Sequence, residues 1–461
     1  MDQVVTKNVK TTSEVSAGEV TGKEMFGHAI AGVGQNFIFA FWSSYMMMFY
    51  TDVFGLSAAF VGMLFFGARA WDAINDPMMG VIADKTRTKW GRFRPWLLIM
   101  PIPVGICLVL NFTVPNVTGT AAMIYAAVTY ILMSMAFTAI DIPYWSMPSA
   151  MTTDPVKRTK IFSYSNLGTS MASTVAGMLI VPLLNAFGGA NTKSGFFGTA
   201  IVMAVIGITL YLTGFKLTRE HVEASTEKFN YKKAAKALGT NKPLLIVLIA
   251  SVALNLGMII KMSLQLFYVQ YNLGTLNLVP IFSMLALPGT ILGSLFAPKI
   301  ASKFGKKRAQ IGASITLLVV GVIFMITPYS QVWLIMILSA AQVTLITLSM
   351  VIVSSMIADT IEYAEWKTGQ RNEGVISSTR TFTTKLAMAF SGLIAGGILT
   401  FAGYVPNVEQ SQMTLTVFHL VSSIVPGVIA LVACIPMKWY DLTEERHAQI
   451  MKEIAERKAN K

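Results

Sequence analysis

Charged residues are scarce in this chain. They make up 13% of its 461 residues, about half of the roughly 25% that is usual in soluble proteins. Apolar residues make up 54%. So few charges cannot cover a surface that faces water, which excludes a soluble enzyme, a fibrous protein and a disordered chain.

Cysteine is rare as well. The two cysteines, Cys107 and Cys434, each lie inside an apolar run, so a structural disulfide is not expected. The four histidines lack the spacing of metal ligands, and no Gly-rich phosphate loop or nucleophile motif is found. We therefore expect no cofactor, no catalytic residues and no enzymatic activity.

Long apolar segments fill most of the chain. Because a bilayer crossing takes about 20 apolar residues, these segments predict an all-α membrane protein with twelve transmembrane helices. The segments lie at 26–51, 57–83, 93–114, 119–150, 160–187, 195–215, 243–271, 277–301, 309–328, 331–358, 374–403 and 413–439.

Basic residues concentrate in alternate loops. They cluster after the second, fourth and eighth segments, at 85–94, 157–160 and 303–308, whereas the six loops on the opposite side of the membrane hold a single basic residue, Lys193. The positive-inside rule then places both termini and the basic loops in the cytoplasm. The net charge of +13 is thus mainly an orientation signal, and we expect no nucleic-acid partner.

The chain divides into two halves of six segments, at 26–215 and 243–440. A basic linker at 216–242, which could form an amphipathic surface helix, separates them, and cytoplasmic tails lie at 1–25 and 441–461. Both halves join their second and third segments by a short basic turn with a glycine. Two six-helix halves predict the major facilitator fold, with a substrate cavity between the halves near mid-bilayer.

Carboxylates inside the apolar segments carry the strongest functional signal, because a charge in lipid is costly unless it is paired or faces water. Asp72 and Asp76 lie one helical turn apart, and Arg69 precedes them by one turn. Carboxylate, hydroxyl and amide oxygens suit a hard cation. We therefore predict a cation site, for Na⁺ rather than H⁺, formed by Asp72, Asp76, Asp141, Thr138 and Asn75. A structural ion pair with Arg69 or with a lysine elsewhere is the alternative.

Cations occupy the corresponding depth of the second half. Lys261 lies deep in the seventh segment, and Arg380 and Lys385 lie in the eleventh. Lys261 and Lys385 are too deep to reach the membrane surface easily, so we expect each to contact the substrate or a counter-ion. For Arg380, a contact that locks the two halves together is an equal alternative.

Five motifs in these regions resemble those of the glycoside-pentoside-hexuronide:cation symporter family, of which melibiose permease is a member. They are Tyr50–Gly55, Ala68–Pro77, Lys89–Trp96, Asp141–Ser146 and Asp359–Gly369, and the resemblance runs from about Gly27 to Arg457. It implies that Na⁺, Li⁺ or H⁺ binds at Asp72, Asp76, Thr138 and Asp141 and drives sugar transport.

The resemblance also implies the sugar-binding residues. Together with the deep cations, the set is Asn36, Asp141, Trp145, Lys261, Arg380, Thr381 and Lys385. Trp145 suits stacking on a sugar ring. Asn36 stands where melibiose permease has an aspartate, so a galactoside is not expected. An anionic hexuronide and a neutral pentoside or other glycoside both stay open.

Acidic residues between segments ten and eleven face the basic loops of the first half. Asp359, Glu362 and Glu365, with Arg158 opposite them, predict an inner gate of salt bridges. Since exposed pairs contribute under about 1 kcal/mol each, such a gate needs a network. A solvated loop is the alternative.

These features together predict a monomeric secondary symporter of the bacterial inner membrane. It would couple inward movement of Na⁺ or H⁺ to uptake of a small sugar or glycoside by alternating access. A membrane-embedded enzyme or lipid translocase and a non-transporting sugar sensor are the alternative hypotheses. The first would need a nucleophile, a metal site or a lipid-exposed polar groove, and the sensor a sizeable cytosolic output domain.

Overall fold

The computed structural model describes residues 20–222, 239, 241–368 and 373–459. The regular secondary structure of this part of the chain is helical, apart from one isolated β-bridge between Thr88 and Gly91. Its α-helices are α1 Gly22–Met48, α2 Ala58–Lys85, α3 Arg94–Ile99, α4 Pro101–Asn111, α5 Thr120–Met151, α6 Pro155–Ala186, α7 Lys193–Leu217, α8 Lys242–Phe267, α9 Val279–Phe304, α10 Lys306–Ile326, α11 Val332–Thr368, α12 Glu373–Phe401, α13 Gln412–Ser423, α14 Val425–Ala433 and α15 Glu444–Ala459.

Many of these helices are suited to a bilayer. Among the described residues, eight helices, α5 to α12, are long and apolar enough to cross a membrane, and the bent pair α13 and α14 adds a ninth. The charges in the middle of α2 lower its hydropathy. Each predicted apolar segment overlaps one helix or one pair of adjacent helices. The chain is therefore a multi-pass membrane protein.

Helices of the first half pack around α1. This helix lies against α6 and α7, while α2 packs on α5, and α4 on α5 and α7. Buried aromatic rings fill the space between them, with Phe41 stacked on Phe112 at 4.2 Å between ring centroids and Phe112 on Phe196 at 5.7 Å. Ring stacking of this kind adds to the dispersion energy of the core.

Helices of the second half repeat this kind of packing. Here α8 lies against α12 and α14, and α11 lies against α9 and α10. The predicted tail helix is formed as α15, and Trp366 at the end of α11 donates to Glu453 Oε2 at 2.5 Å. Most of the predicted linker helix lies outside the described residues.

The halves meet along three helix pairs: α2 with α12, α6 with α9, and α1 with α8. Several contacts between them lie at the end of the bundle that is predicted to face outside, which we call the outer end. There Asn185 donates to Asn277 Oδ1 at 2.8 Å. A Cβ added to Gly62 of α2 would lie 3.1 Å from the Cα of Gly396 of α12, so the backbones of these helices touch. Small residues permit such contact between membrane helices.

Candidate functional site

One face of α2 carries three charged side chains at mid-length. Arg69, Asp72 and Asp76 follow the i, i+3, i+7 spacing, so the helix presents them on the same side. Asp72 is buried, and Asp76 is half-buried. Pro77 follows directly, and because proline has no N–H, the helix lacks one hydrogen bond beside the site. This face meets α5 and α12.

Two hydroxyl groups of α5 face the two carboxylates. Ser134 Oγ donates to Asp72 Oδ1 at 2.7 Å, and Thr138 Oγ1 donates to Asp76 Oδ1 at 3.1 Å. The two hydroxyl residues are four positions apart on α5, and the two aspartates are four positions apart on α2. Successive turns of α5 therefore each donate to one carboxylate of α2. The sequence predicted Thr138 but not Ser134, although the matching spacing could have revealed it.

Each carboxylate is also paired with a cation of the protein. Arg69 Nη1 lies 2.9 Å from Asp72 Oδ2, and its guanidinium lies 5.6 Å from the ring centroid of Trp42. Asp76 forms an ion pair with Lys385, which belongs to α12 in the other half. Both partners had been considered in the structural alternative. In this conformation the two carboxylates are therefore neutralised internally.

Asp141 lies apart from this pair and bonds to Gln35. The side-chain amide of Gln35, on α1, donates to Asp141 Oδ1. Within the described residues, no three His, Cys, Asp or Glu side chains are grouped so that they could hold one metal ion. The predicted set of three carboxylates is thus not assembled in this conformation. Asp72 pairs with its own helix α2, Asp76 pairs with α12, and Asp141 bonds to α1. The Nδ2 atom of Asn75 is buried without a hydrogen-bond partner among the described atoms.

The predicted sugar-binding residues divide between several places. Asn36 accepts a hydrogen bond from Ser173 Oγ at 2.9 Å. Trp145 is half-buried and stacks on Phe162, with ring centroids 6.3 Å apart. Arg380 is exposed and donates to Ser354 Oγ at 3.0 Å, within its own half. The side chain of Thr381 lies outside the described part of the structure.

Lys261 does not face the space between the halves. Its ammonium is buried inside the second half and donates to Gln342 Oε1, and Gln342 in turn donates to the carbonyl of Ser423 at 2.5 Å. Met258 and Met262 of the same helix line the cavity between the halves, whereas Lys261 does not. In this conformation Lys261 therefore contacts Gln342 inside the second half and does not line the cavity, and its expected contact with the substrate stays a prediction.

A cavity of about 280 Å³ lies between the halves, next to Arg69. Aromatic residues and methionines make up half of the residues that line it, and hydroxyl and amide groups supply the uncharged polar positions. Sequence reasoning missed these residues, although polar side chains within apolar segments were a usable signal. The residues that line the cavity include Trp42, Ser43, Tyr130, Asn255, Ser263 and Ser391.

Three of the predicted inner-gate residues, Asp359, Glu362 and Arg158, have contacts within their own halves here. Asp359 forms a 2.6 Å ion pair with Lys306, and Glu362 lies 3.7 Å from His447, both within the second half. Glu365 is half-buried on the same helix. In the first half, Arg158 donates to the carbonyl of Thr152 at 3.1 Å. The salt bridges predicted between the halves stay a prediction for another conformation.

A buried, charged site between two helical halves of a membrane bundle is the arrangement of a secondary transporter. Residues 27–444 match the MFS/sugar transport protein family, and the chain belongs to that family. The expected likeness to glycoside-pentoside-hexuronide:cation symporters is confirmed, and the chain is a transporter rather than an enzyme.

Individual relatives agree with this assignment. The chain is 31% identical to the inner membrane symporter YicJ of Escherichia coli, covering 95% of each chain. It is also 31% identical to the isoprimeverose transporter of Lactiplantibacillus pentosus, covering 95% of this chain and 94% of that one. Among solved structures, a bacterial homologue of the human lysosomal transporter Spinster, inward-facing and unoccupied, matches with a TM-score of 0.65 at 14% identity. That match covers 93% of this chain and 97% of the other, and it supports the fold alone.

Proposed function

We propose that this protein is a symporter that couples inward movement of Na⁺, or of H⁺, to uptake of a sugar or glycoside by alternating access. The proposal includes twelve crossings in two six-helix halves, cytoplasmic termini and a monomer in the inner membrane of a bacterium. Family membership and the name of the isoprimeverose transporter support a sugar substrate. The basic loops support the orientation.

The ion pair between Lys385 and Asp76 is the observation that carries the proposal. A carboxylate at this depth needs a positive partner. Lys385 supplies one from the opposite half, and its side chain is 37% exposed, so it is not locked in place by packing. A coupling ion that reaches Asp76 would take over the same role and release the lysine.

This exchange gives a physical basis for coupling. With the ion at Asp76, the ammonium of Lys385 is free to face the cavity, where it can donate hydrogen bonds to sugar oxygens. The ion and the sugar then favour each other's binding by the same factor, as linkage requires. After both leave on the inner side, Lys385 returns to Asp76 and the empty carrier can reorient without an unpaired charge. One monovalent cation moving inward gains about 2.3 kcal/mol per 100 mV of membrane potential.

The two carboxylates have different roles in this scheme. Asp72 is held by Arg69 of its own helix and by Ser134, so it keeps its partners throughout the cycle. Asp76 exchanges its partner. Thr138 now donates to Asp76, and its oxygen keeps lone pairs that can ligate an ion. The neutral oxygens of Thr138 and Asn75 favour Na⁺ over H⁺, because a proton needs only the carboxylate.

The lining of the cavity in this conformation favours a neutral glycoside, whereas a released Lys385 would add one positive charge that also suits a hexuronide. The polar groups of the cavity are hydroxyls and amides, and its one guanidinium, Arg69, is already matched by Asp72. Trp42 and Tyr130 offer apolar ring surface to a sugar, and Asn255 offers both a donor and an acceptor. Trp145, further towards the inner end, would meet the sugar along its path.

Uptake by purified protein in liposomes tests the proposal. Imposed Na⁺ or H⁺ gradients are combined with a panel of labelled pentosides, other glycosides and hexuronides. We expect accumulation of a neutral glycoside with the Na⁺ gradient, and at least a tenfold loss in Asp76→Asn. Asp84→Asn, an exposed carboxylate near the end of the same helix, is the matched control and keeps uptake. Equal accumulation by Asp76→Asn would refute the cation assignment.

A further inference from the structure

A second buried carboxylate, Asp52, lies at the outer end, well away from the cation site. It belongs to a π-helical turn, Phe49–Val53, that continues α1. The second half has a π-helical turn in the corresponding place, Tyr268–Asn272, directly after α8. Such wide turns are frequent at functional positions. The first helix of each half therefore ends in the same unusual way where the halves meet.

Donors from the second half surround Asp52. Tyr404 donates to Oδ1 at 2.6 Å, and Tyr271 donates to Oδ2 at 2.8 Å. Asn407 Nδ2 donates to the backbone carbonyl of Asp52 at 2.6 Å. The one side-chain donor described from the first half is the adjacent Thr51, at 2.6 Å. With 7% of its surface exposed, Asp52 depends on the opposite half for most of its hydrogen bonds.

The donors are themselves held in position. The hydroxyl oxygens of Tyr271 and Tyr404 are 2.9 Å apart, and the backbone N–H of Asn407 donates to Tyr271 at 3.1 Å. Asn407 has a φ of +59°, and it is the one non-glycine residue in the described ranges with a positive φ. Asparagine tolerates this conformation better than most residues, but it is kept only where contacts fix it.

We propose that Asp52 is a positioning residue that holds the outer end closed, through an outer latch formed by Asp52, Tyr271, Tyr404 and Asn407. The direction of the gate rests on the proposed function. When the halves separate at the outer end, Asp52 loses three donors at once and must be solvated by water. Hydrogen bonds to a charged acceptor are stronger than neutral ones, so the latch shifts the carrier towards the closed outer end. It must break and re-form in every transport cycle.

Thiol labelling from each side of the membrane tests the latch without any substrate. The reporter is Ser43→Cys, in the cavity between the halves, on a Cys107→Ser background. Cys434 is retained because it is buried and should be labelled only if the protein unfolds. A membrane-impermeant maleimide is applied to right-side-out and to inside-out vesicles, and the two cysteine peptides are quantified separately by mass spectrometry.

We expect Asp52→Asn to raise labelling of residue 43 from outside by about tenfold, since it weakens hydrogen bonds to a charged group. Labelling from inside falls in parallel. Tyr404→Phe and Tyr271→Phe shift labelling in the same direction by a smaller factor. Tyr329→Phe, another tyrosine of the second half outside the latch, is the control and leaves labelling unchanged. A variant that is merely misfolded would gain labelling from both sides and expose Cys434.

Each outcome has a defined meaning. Unchanged labelling in Asp52→Asn with Cys434 protected overturns the latch. If Asp52→Asn exposes Cys434, that variant is misfolded and the two Tyr→Phe variants are used instead. Unchanged labelling of residue 43 in both of them, with Cys434 protected, overturns the latch. If Asp52→Asn instead raises labelling of residue 43 in inside-out vesicles, the latch proposal is supported. The membrane orientation given in the proposed function is then refuted. If the unmodified protein shows no symport in the liposome assay while the labelling response is as expected, the transport proposal alone is refuted.

Discussion

Lys385 of α12 forms an ion pair with Asp76 of α2 across the boundary between the two halves. This contact pairs Asp76, part of the cation site predicted in the first half, with one of the lysines predicted to lie deep in the second half. It also means that a protein cation stands where the coupling ion is proposed to bind. Two cations held against the same carboxylate repel each other, so the contact defines a competition that can be measured.

The first prediction separates net uptake from exchange. Lys385→Gln should lower Na⁺-driven net uptake by at least tenfold, because the empty carrier would have to reorient with Asp76 unpaired. Exchange with Na⁺ and sugar on both sides should fall by less than about threefold, because the carrier then crosses loaded in both directions and the glutamine amide can still donate hydrogen bonds to the sugar. Both rates are measured with labelled sugar in the same proteoliposomes.

This prediction has a control variant and an outcome that would contradict it. Lys299→Gln, on α9, serves as the lysine control and should leave both rates unchanged. If exchange falls as far as net uptake in Lys385→Gln, the lysine acts mainly on the sugar, as the sequence resemblance implied, and the role assigned to it in the empty carrier is wrong.

The second prediction concerns stability. Asp72→Asn leaves the guanidinium of Arg69 without its buried partner, a change that typically costs about 3–5 kcal/mol. Asp76→Asn should cost less, because the side chain of Lys385 is partly exposed and can be hydrated. Thermal unfolding in detergent is monitored by size-exclusion chromatography after heating to a series of temperatures. It should show a lower unfolding midpoint for Asp72→Asn. The double variant Arg69→Gln, Asp72→Asn should recover part of the loss. Equal midpoints for the two single variants would contradict the assigned roles.

The third prediction tests the position of Lys261. Because its ammonium bonds Gln342 inside the second half, Lys261→Met should change the KM for the sugar by less than about twofold while altering the unfolding midpoint. Asn255→Ala, on the cavity side of the same helix, should raise KM several-fold through a lost hydrogen bond. A large KM effect in Lys261→Met with normal stability would restore Lys261 to the sugar site.

Much of the site on α2 could be predicted from sequence because it depends on one helix. The spacing of Arg69, Asp72 and Asp76 fixes a common face, and the presence of charge in an apolar segment marks that face as functional. The helices themselves followed from apolar runs of bilayer length. No knowledge of the neighbouring helices was needed for either step.

Contacts between helices were harder to predict. The bond between Gln35 and Asp141 depends on how α1 packs against α5, which no local pattern encodes. Lys261 shows a related difficulty: its depth in α8 follows from counting residues, but the side of the helix that faces the cavity depends on how α8 is rotated in the bundle. The latch at Asp52 involves residues more than 200 positions apart, and its motif gave no sign of which residues would surround it.

Competition between Lys385 and the coupling ion is measured most directly by Na⁺ binding to purified protein. Isothermal titration calorimetry in mildly alkaline buffer compares the unmodified protein with Lys385→Gln and with Asp76→Asn. We predict that Lys385→Gln binds Na⁺ about tenfold more tightly, because the internal competitor is gone, and that Asp76→Asn shows no binding. Unchanged or weaker Na⁺ binding in Lys385→Gln would contradict the account.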